Sequence, residues 1–82
     1  MDYKDYFDWA QEYRSQAEIL SRKLEERKAP QYFETSEQKK AFESATRMLY
    51  EMKLECIKTM NILERKATEI KEREEHAENI VA

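Results

Sequence analysis

The sequence predicts an all-α chain: an antiparallel two-helix hairpin with an overlong second helix, dimerising into a four-helix bundle. Three observations carry that prediction. Glycine is absent and proline occurs once, at Pro30, so almost no residue suits the φ > 0 geometry of tight turns. Glu, Lys, Arg, Gln, Ala, Leu and Met are abundant, and all favour helix. Apolar residues recur at alternating spacings of three and four on both sides of Pro30, the period of one helical face.

The length, 82 residues, fits one domain with a thin core. Charged residues make up 40% and mean hydropathy is -1.05, a balance that by itself suits disorder. Hydrophobic residues make up another 40%, and their regular placement provides a face to pack. A single cysteine, Cys56, forms no internal disulfide, so a reducing, cytoplasmic setting is expected. No run of about 18 apolar residues suggests a membrane span, and no basic-then-apolar leader opens the chain. Met1-Asp2-Tyr3-Lys4-Asp5 resembles the start of a common epitope tag. The tag's acidic run does not follow, and Tyr3 and Tyr6 fit the helical stripe, so the segment is read as native.

The first helix is predicted over about residues 3–29. Its stripe is Tyr3, Tyr6, Ala10, Tyr13, Ala17, Leu20 and Leu24, an a/d heptad pattern. Asp2 supplies an N-cap, and Asp5 and Asp8 place negative charge at the positive end of the helix dipole. Arg22, Lys23, Arg27 and Lys28 occupy the other end. Pro30 biases Ala29 away from helical angles and ends the helix. Residues 30–35 form the loop, where Thr35 and Gln38 read as a capping box. The second helix then spans about residues 36–78.

The second stripe is Phe42, Ala45, Leu49, Met52, Cys56, Met60, Leu63, Ala67 and Ile70, followed by Glu74, Ala77 and Val81. Its Met52-Cys56-Met60 steps of four interrupt the alternation and read as a stutter. With a short loop the helices pair antiparallel, setting Leu24 near Phe42, Leu20 near Ala45, Ala17 near Leu49, Tyr13 near Met52, Ala10 near Cys56 and Tyr6 near Met60. In that register residues 64–82, with six acids and four bases, form a projecting charged tail.

Apolar residues remain after the seam is filled: Phe7, Trp9 and Ile19 on the first helix, and Met48, Tyr50, Leu54, Ile57 and Ile62 on the second. These eight are the expected interface. Trp9 and Phe7 suit the role of anchors for another chain. Tyr32 and Phe33 in the loop are expected to cap the core.

Other chemistries find little material. One His and one Cys, with no Glu-x-x-His pair, leave no expected metal site or cofactor. His76 is read as solvated and Cys56 as a structural thiol, so no catalytic residue and no enzyme activity are expected. Without glycine there is no phosphate-cradling loop. Net charge is -3, with acids and bases interleaved in pairs such as Glu18–Arg22, Glu43–Arg47 and Glu69–Arg73. Direct nucleic-acid binding is not expected. Glu74-Glu75-x-x-Glu78 resembles the Glu-Glu-x-x-Glu magnesium element of the all-α nucleotide pyrophosphatases. That family's second acidic motif has no counterpart here, and Glu51 and Glu55 cannot replace it in cis. An acidic helical hairpin is also similar in outline to the small secretion substrates that carry Trp-x-Gly in their turn. Here Trp9 lies in the first helix and the turn is Pro30-Gln31-Tyr32-Phe33-Glu34.

Three functional expectations follow. The first is a small non-catalytic protein–protein interaction module (adapter, scaffold or regulator), homodimeric and with a further protein partner. The second is an inhibitor of the phage or mobile-element type, docking on a larger enzyme or nucleic-acid-binding protein. The third is a magnesium-dependent nucleotide hydrolase assembled across an oligomer.

Overall fold

A computed structural model gives the protein's structure, describing residues 2–81, with side chains over residues 2–77. Helix α1 spans Tyr3–Glu26 and helix α2 spans Ser36–Val81. Among the described residues there is no strand. The chain is an antiparallel hairpin 71 Å long and 15 Å across. At about 1.5 Å per residue, α2 alone accounts for roughly that length.

Local chemistry explains the ends. Asp2 and Asp5 form a reciprocal capping box: Tyr3 N–H donates to the Asp2 carboxylate at 2.7 Å, and Asp2 N–H donates to that of Asp5 at 3.1 Å. At the other end, α1 stops three residues before the expected Ala29. Its last bonds tighten to the three-residue spacing, Arg27 N–H to Leu24 O and Lys28 N–H to Glu25 O, as helices do when unwinding towards a proline. Thr35 caps α2 as expected, accepting from Gln38 N–H at 3.1 Å. The Gln38 side chain accepts from Glu34 N–H, one residue before the cap.

The register differs from the expected one. Arg14 Nε donates to Met60 Sδ, and Arg14 is ion-paired with Glu64. The Cys56 thiol donates to the Gln16 side-chain Oε1 at 3.8 Å, and Arg27 donates to Thr46 Oγ1 at 3.1 Å. Each α1 position therefore meets α2 about one heptad later than the short-loop pairing places it. A shift of seven residues leaves the same faces in contact, so the apolar pattern alone does not choose between the two registers. The connection decides. It runs over residues 27–35 rather than 30–35 and folds back along the first turns of α2. There Phe33 packs on Phe42 with ring centroids 5.3 Å apart, and the Arg27 guanidinium lies 4.6 Å above the Phe42 ring.

This register also removes the stutter. With Thr46 and Lys53 in place of Ala45 and Met52, the α2 seam reads 42, 46, 49, 53, 56, 60, 63, 67 and 70, alternating four and three throughout. Lys53 and Thr46 are half-buried, whereas Met52 is exposed. Reading only apolar residues skipped a lysine whose aliphatic stem serves the seam. On α1 the seam runs from Tyr3 to Leu24 and continues to Arg27. The two lines interleave, Tyr3 level with Ile70, Tyr6 with Ala67, Ala10 with Leu63, Tyr13 with Met60, Ala17 with Cys56 and Leu24 with Leu49. Ala10 and Ala67, at 1% and 0% exposure, each sit opposite a large residue, which lets the helices approach closely.

The projecting tail is correspondingly shorter. Leu63 and Ala67 are buried and Ile70 is half-buried, so the unpaired part of α2 begins after Ile70 and not at residue 64. The side chains of residues 71–77 are exposed. Glu78 and Val81, the last members of the acidic motif and of the stripe, have side chains outside the described residues.

Two stability effects follow from the seam. Ala10→Leu forces a larger side chain against Leu63 and is expected to destabilise by about 1–3 kcal/mol. Lys53→Leu, on the same seam, is expected to raise the melting temperature, because it replaces a charge with an apolar seam residue. Thermal melts of the two variants by circular dichroism check both signs. Arg27→Ala removes the cation–π contact and the bond to Thr46, and a loss of about 1–2 kcal/mol is expected in the same assay.

Candidate interaction surfaces

The eight expected interface residues do not form one face. Helical spacing about the seam separates them onto opposite broad sides of the hairpin. Tyr50, Leu54 and Ile57, at steps of four and three, lie on the side of α2 that also carries Glu64. Arg14 reaches Glu64 on that side, and Phe7 lies one heptad before Arg14. Phe7 packs edge-on against Tyr3 at 6.3 Å, and Ile57 is half-buried. Met48 and Ile62 lie on the other side of α2. Trp9 and Ile19 share that side from α1.

The second side holds a residue that sequence reading assigned to the seam. Met52 is displaced from it by Lys53 and stands 52% exposed beside Met48, with 62% exposure. Together with Glu51, Glu55 and Cys56 they line a shallow groove along α2. Ile62 is 61% exposed, Ile19 45% and Trp9 42%. In the observed register these five large residues follow one another along the rod: Met48, Met52, Ile19, Ile62 and Trp9. The missed signal was a second alternation of three and four on α2, through Ala45, Met48, Met52, Glu55, Thr59 and Ile62.

The Tyr50 side has a different character. A dent of about 300 Å³ lies between the helices near the loop, lined by Ser21, Leu24, Glu25, Arg27, Lys28, Thr46, Tyr50 and Lys53. Lys28 is ion-paired with Glu25 at 3.1 Å. The loop aromatics separate as well, since Phe33 closes the end of the core on Phe42 while Tyr32 is almost fully exposed.

Among the described residues no group of three His, Cys, Asp or Glu side chains is placed to hold a metal ion. Among the described residues no helix is long and apolar enough to cross a membrane. The surface pairs at spacing four, such as Glu18–Arg22 and Glu43–Arg47, are not closed. Among the described residues the local ion pairs are instead at spacing three, Lys58 with Glu55 at 3.6 Å within α2 and Lys28 with Glu25 at 3.1 Å across the end of α1, and such exposed pairs add little stability.

Single-site accessibility distinguishes the two sides. Trp9 fluorescence at low protein concentration is expected to be quenched efficiently by acrylamide, and quenching is expected to fall as concentration rises if its side becomes covered. Compared with known proteins, the chain matches no family model, no curated protein and no solved structure.

Proposed function

We propose that the protein is a non-catalytic interaction module that self-associates through the side bearing Trp9, Ile19, Met48, Met52 and Ile62, two hairpins forming a four-helix bundle. The observation that carries this reading is the run of five large apolar side chains, each 42–62% exposed, along one side of a two-helix rod. Apolar residues continuous along a helix flank call for a covering element. Surface area supports the same reading. The chain exposes 6698 Å², whereas a compact monomer of 10.0 kDa exposes about 5,200 Å². The excess, about 1,500 Å² per chain, exceeds the roughly 800 Å² that each partner buries in a standard interface.

A second reading rests on the opposite side. A hairpin dimer covers one broad side only, leaving Phe7, Tyr50, Leu54 and Ile57 for another protein, as an adapter or a docking inhibitor requires. Both readings suit a cytoplasmic setting, where the thiol of Cys56 stays reduced.

Light scattering tests the first reading. The wild-type chain is expected at twice the monomer mass, and the paired substitution Met52→Glu with Ile62→Glu is expected to give a folded monomer. Leu54→Glu, on the other side, is expected to leave the dimer mass unchanged. A wild-type monomer, or a double variant that remains dimeric, rejects the assignment of this side.

A further inference from the structure

The apolar seam does not account for the way charge is distributed along the rod. A cut at mid-length, between the levels of Tyr13 and Arg14, gives two unlike halves. The loop half, residues 14–58, carries ten Lys and Arg against eight Asp and Glu, a net charge of +2. The open half, residues 1–13 together with 59–82, carries five against ten, a net charge of -5. Folding back sets the acidic start of α1, net -3 over residues 1–13, beside a charge-balanced stretch of α2, residues 59–70, and the remaining acidic excess, net -2, belongs to residues 71–82, past the paired levels. Among the described residues a single ion pair, Arg14 with Glu64, crosses between the helices.

We propose that two copies of this chain associate through the Trp9–Met52 side with their long axes opposed, so that each acidic open half lies along the basic loop half of the other copy. This rests on the self-association proposed above and names its geometry. Two arrangements bring that side face to face about a two-fold axis. With the axes parallel, α1 lies on the second copy's α2 at the same level, and acidic halves meet acidic halves. With the axes opposed, α1 lies on α1 and α2 on α2, and unlike halves meet at both ends. Charge complementarity selects the second arrangement.

The apolar spacing accommodates it. Turning α2 end for end about the level of Glu55 sets Met48 opposite the second copy's Ile62, and Met52 within one residue of the level of its Thr59. The two Ile19 residues fall close to the axis. Glu55 of each copy also falls there, and Lys58 on its own helix holds it at 3.6 Å.

Orientation is read by a distance. In a Cys56→Ser background, Gln31→Cys places one spin label at each loop. At about 1.5 Å per residue along the helices and about 10 Å between them, opposed axes separate the labels by roughly 50 Å, and parallel axes by roughly 20 Å or less. Pulsed electron resonance on the full chain distinguishes these values, with light scattering on the same sample fixing the mass. Salt provides a second readout. The opposed dimer is expected to weaken several-fold between about 50 mM and 0.5 M NaCl, whereas screening strengthens a dimer of like-charged ends. A distance near 50 Å with weakening in salt supports the proposal. A short distance, or tightening in salt, overturns the orientation and leaves self-association standing. A monomeric mass at every concentration overturns both.

Discussion

Two helices share one line of contact, and along it each can bury only a stripe of its circumference. Everything else about this chain depends on how that line is filled. Its stripe alternates three and four residues from Tyr3 to Arg27 on α1 and from Phe42 to Ile70 on α2. Small residues meet large ones at the tightest levels, where Ala10 and Ala67 are the two most buried residues. Among the described residues no third element covers the flanks of that single line, and the large residues beside the seam stay in solvent.

The same single line explains which parts of the structure were legible in advance. Helix identity, the Asp2 cap and the antiparallel pairing are local or periodic properties, and short-range physics states them directly. Register is neither. A heptad pattern superimposes on itself after seven residues, so the choice between pairing Ala10 with Cys56 or with Leu63 lies outside the seam. It lies in nine connecting residues, where Arg27 reaches Phe42 and Thr46 and where Phe33 returns onto the Phe42 ring. That small cluster determines how far along α2 the first helix is set.

The register in turn controls what the flanks become. Lys53 and Thr46 carry no apolar signal in the sequence, although a lysine stem and a threonine methyl are adequate seam material. Placing Met52 in the seam produced a stutter and hid the alternation on its flank. Once Lys53 takes that position, Met52 joins Met48, Ile62, Ile19 and Trp9 in one stripe. The eight expected interface residues divide between two sides, since a pattern of spacings on one helix does not say which side of the other helix it joins. That requires the pairing.

Charge shows the same dependence on pairing. Along the sequence, acids and bases alternate closely enough to resemble ordinary solvated helix surface. Folding gathers them by half of the rod, and the acidic start of α1 then adds to the acidic end of α2 that runs past it. An antiparallel hairpin built for internal electrostatic stability would set the acidic end of one helix beside the basic end of the other, as α1 itself is polarised to permit. This chain sets it beside a charge-balanced stretch, residues 59–70, and the open half as a whole carries ten acids against five bases. Screening at physiological salt, over a length of about 8 Å, makes the repulsion within that half tolerable but gives it no benefit to the isolated chain. An element covering the exposed flank removes apolar surface from water wherever its charges lie. It also relieves the repulsion only if its charges run opposite to those of the rod, and a second copy turned end for end supplies both at once.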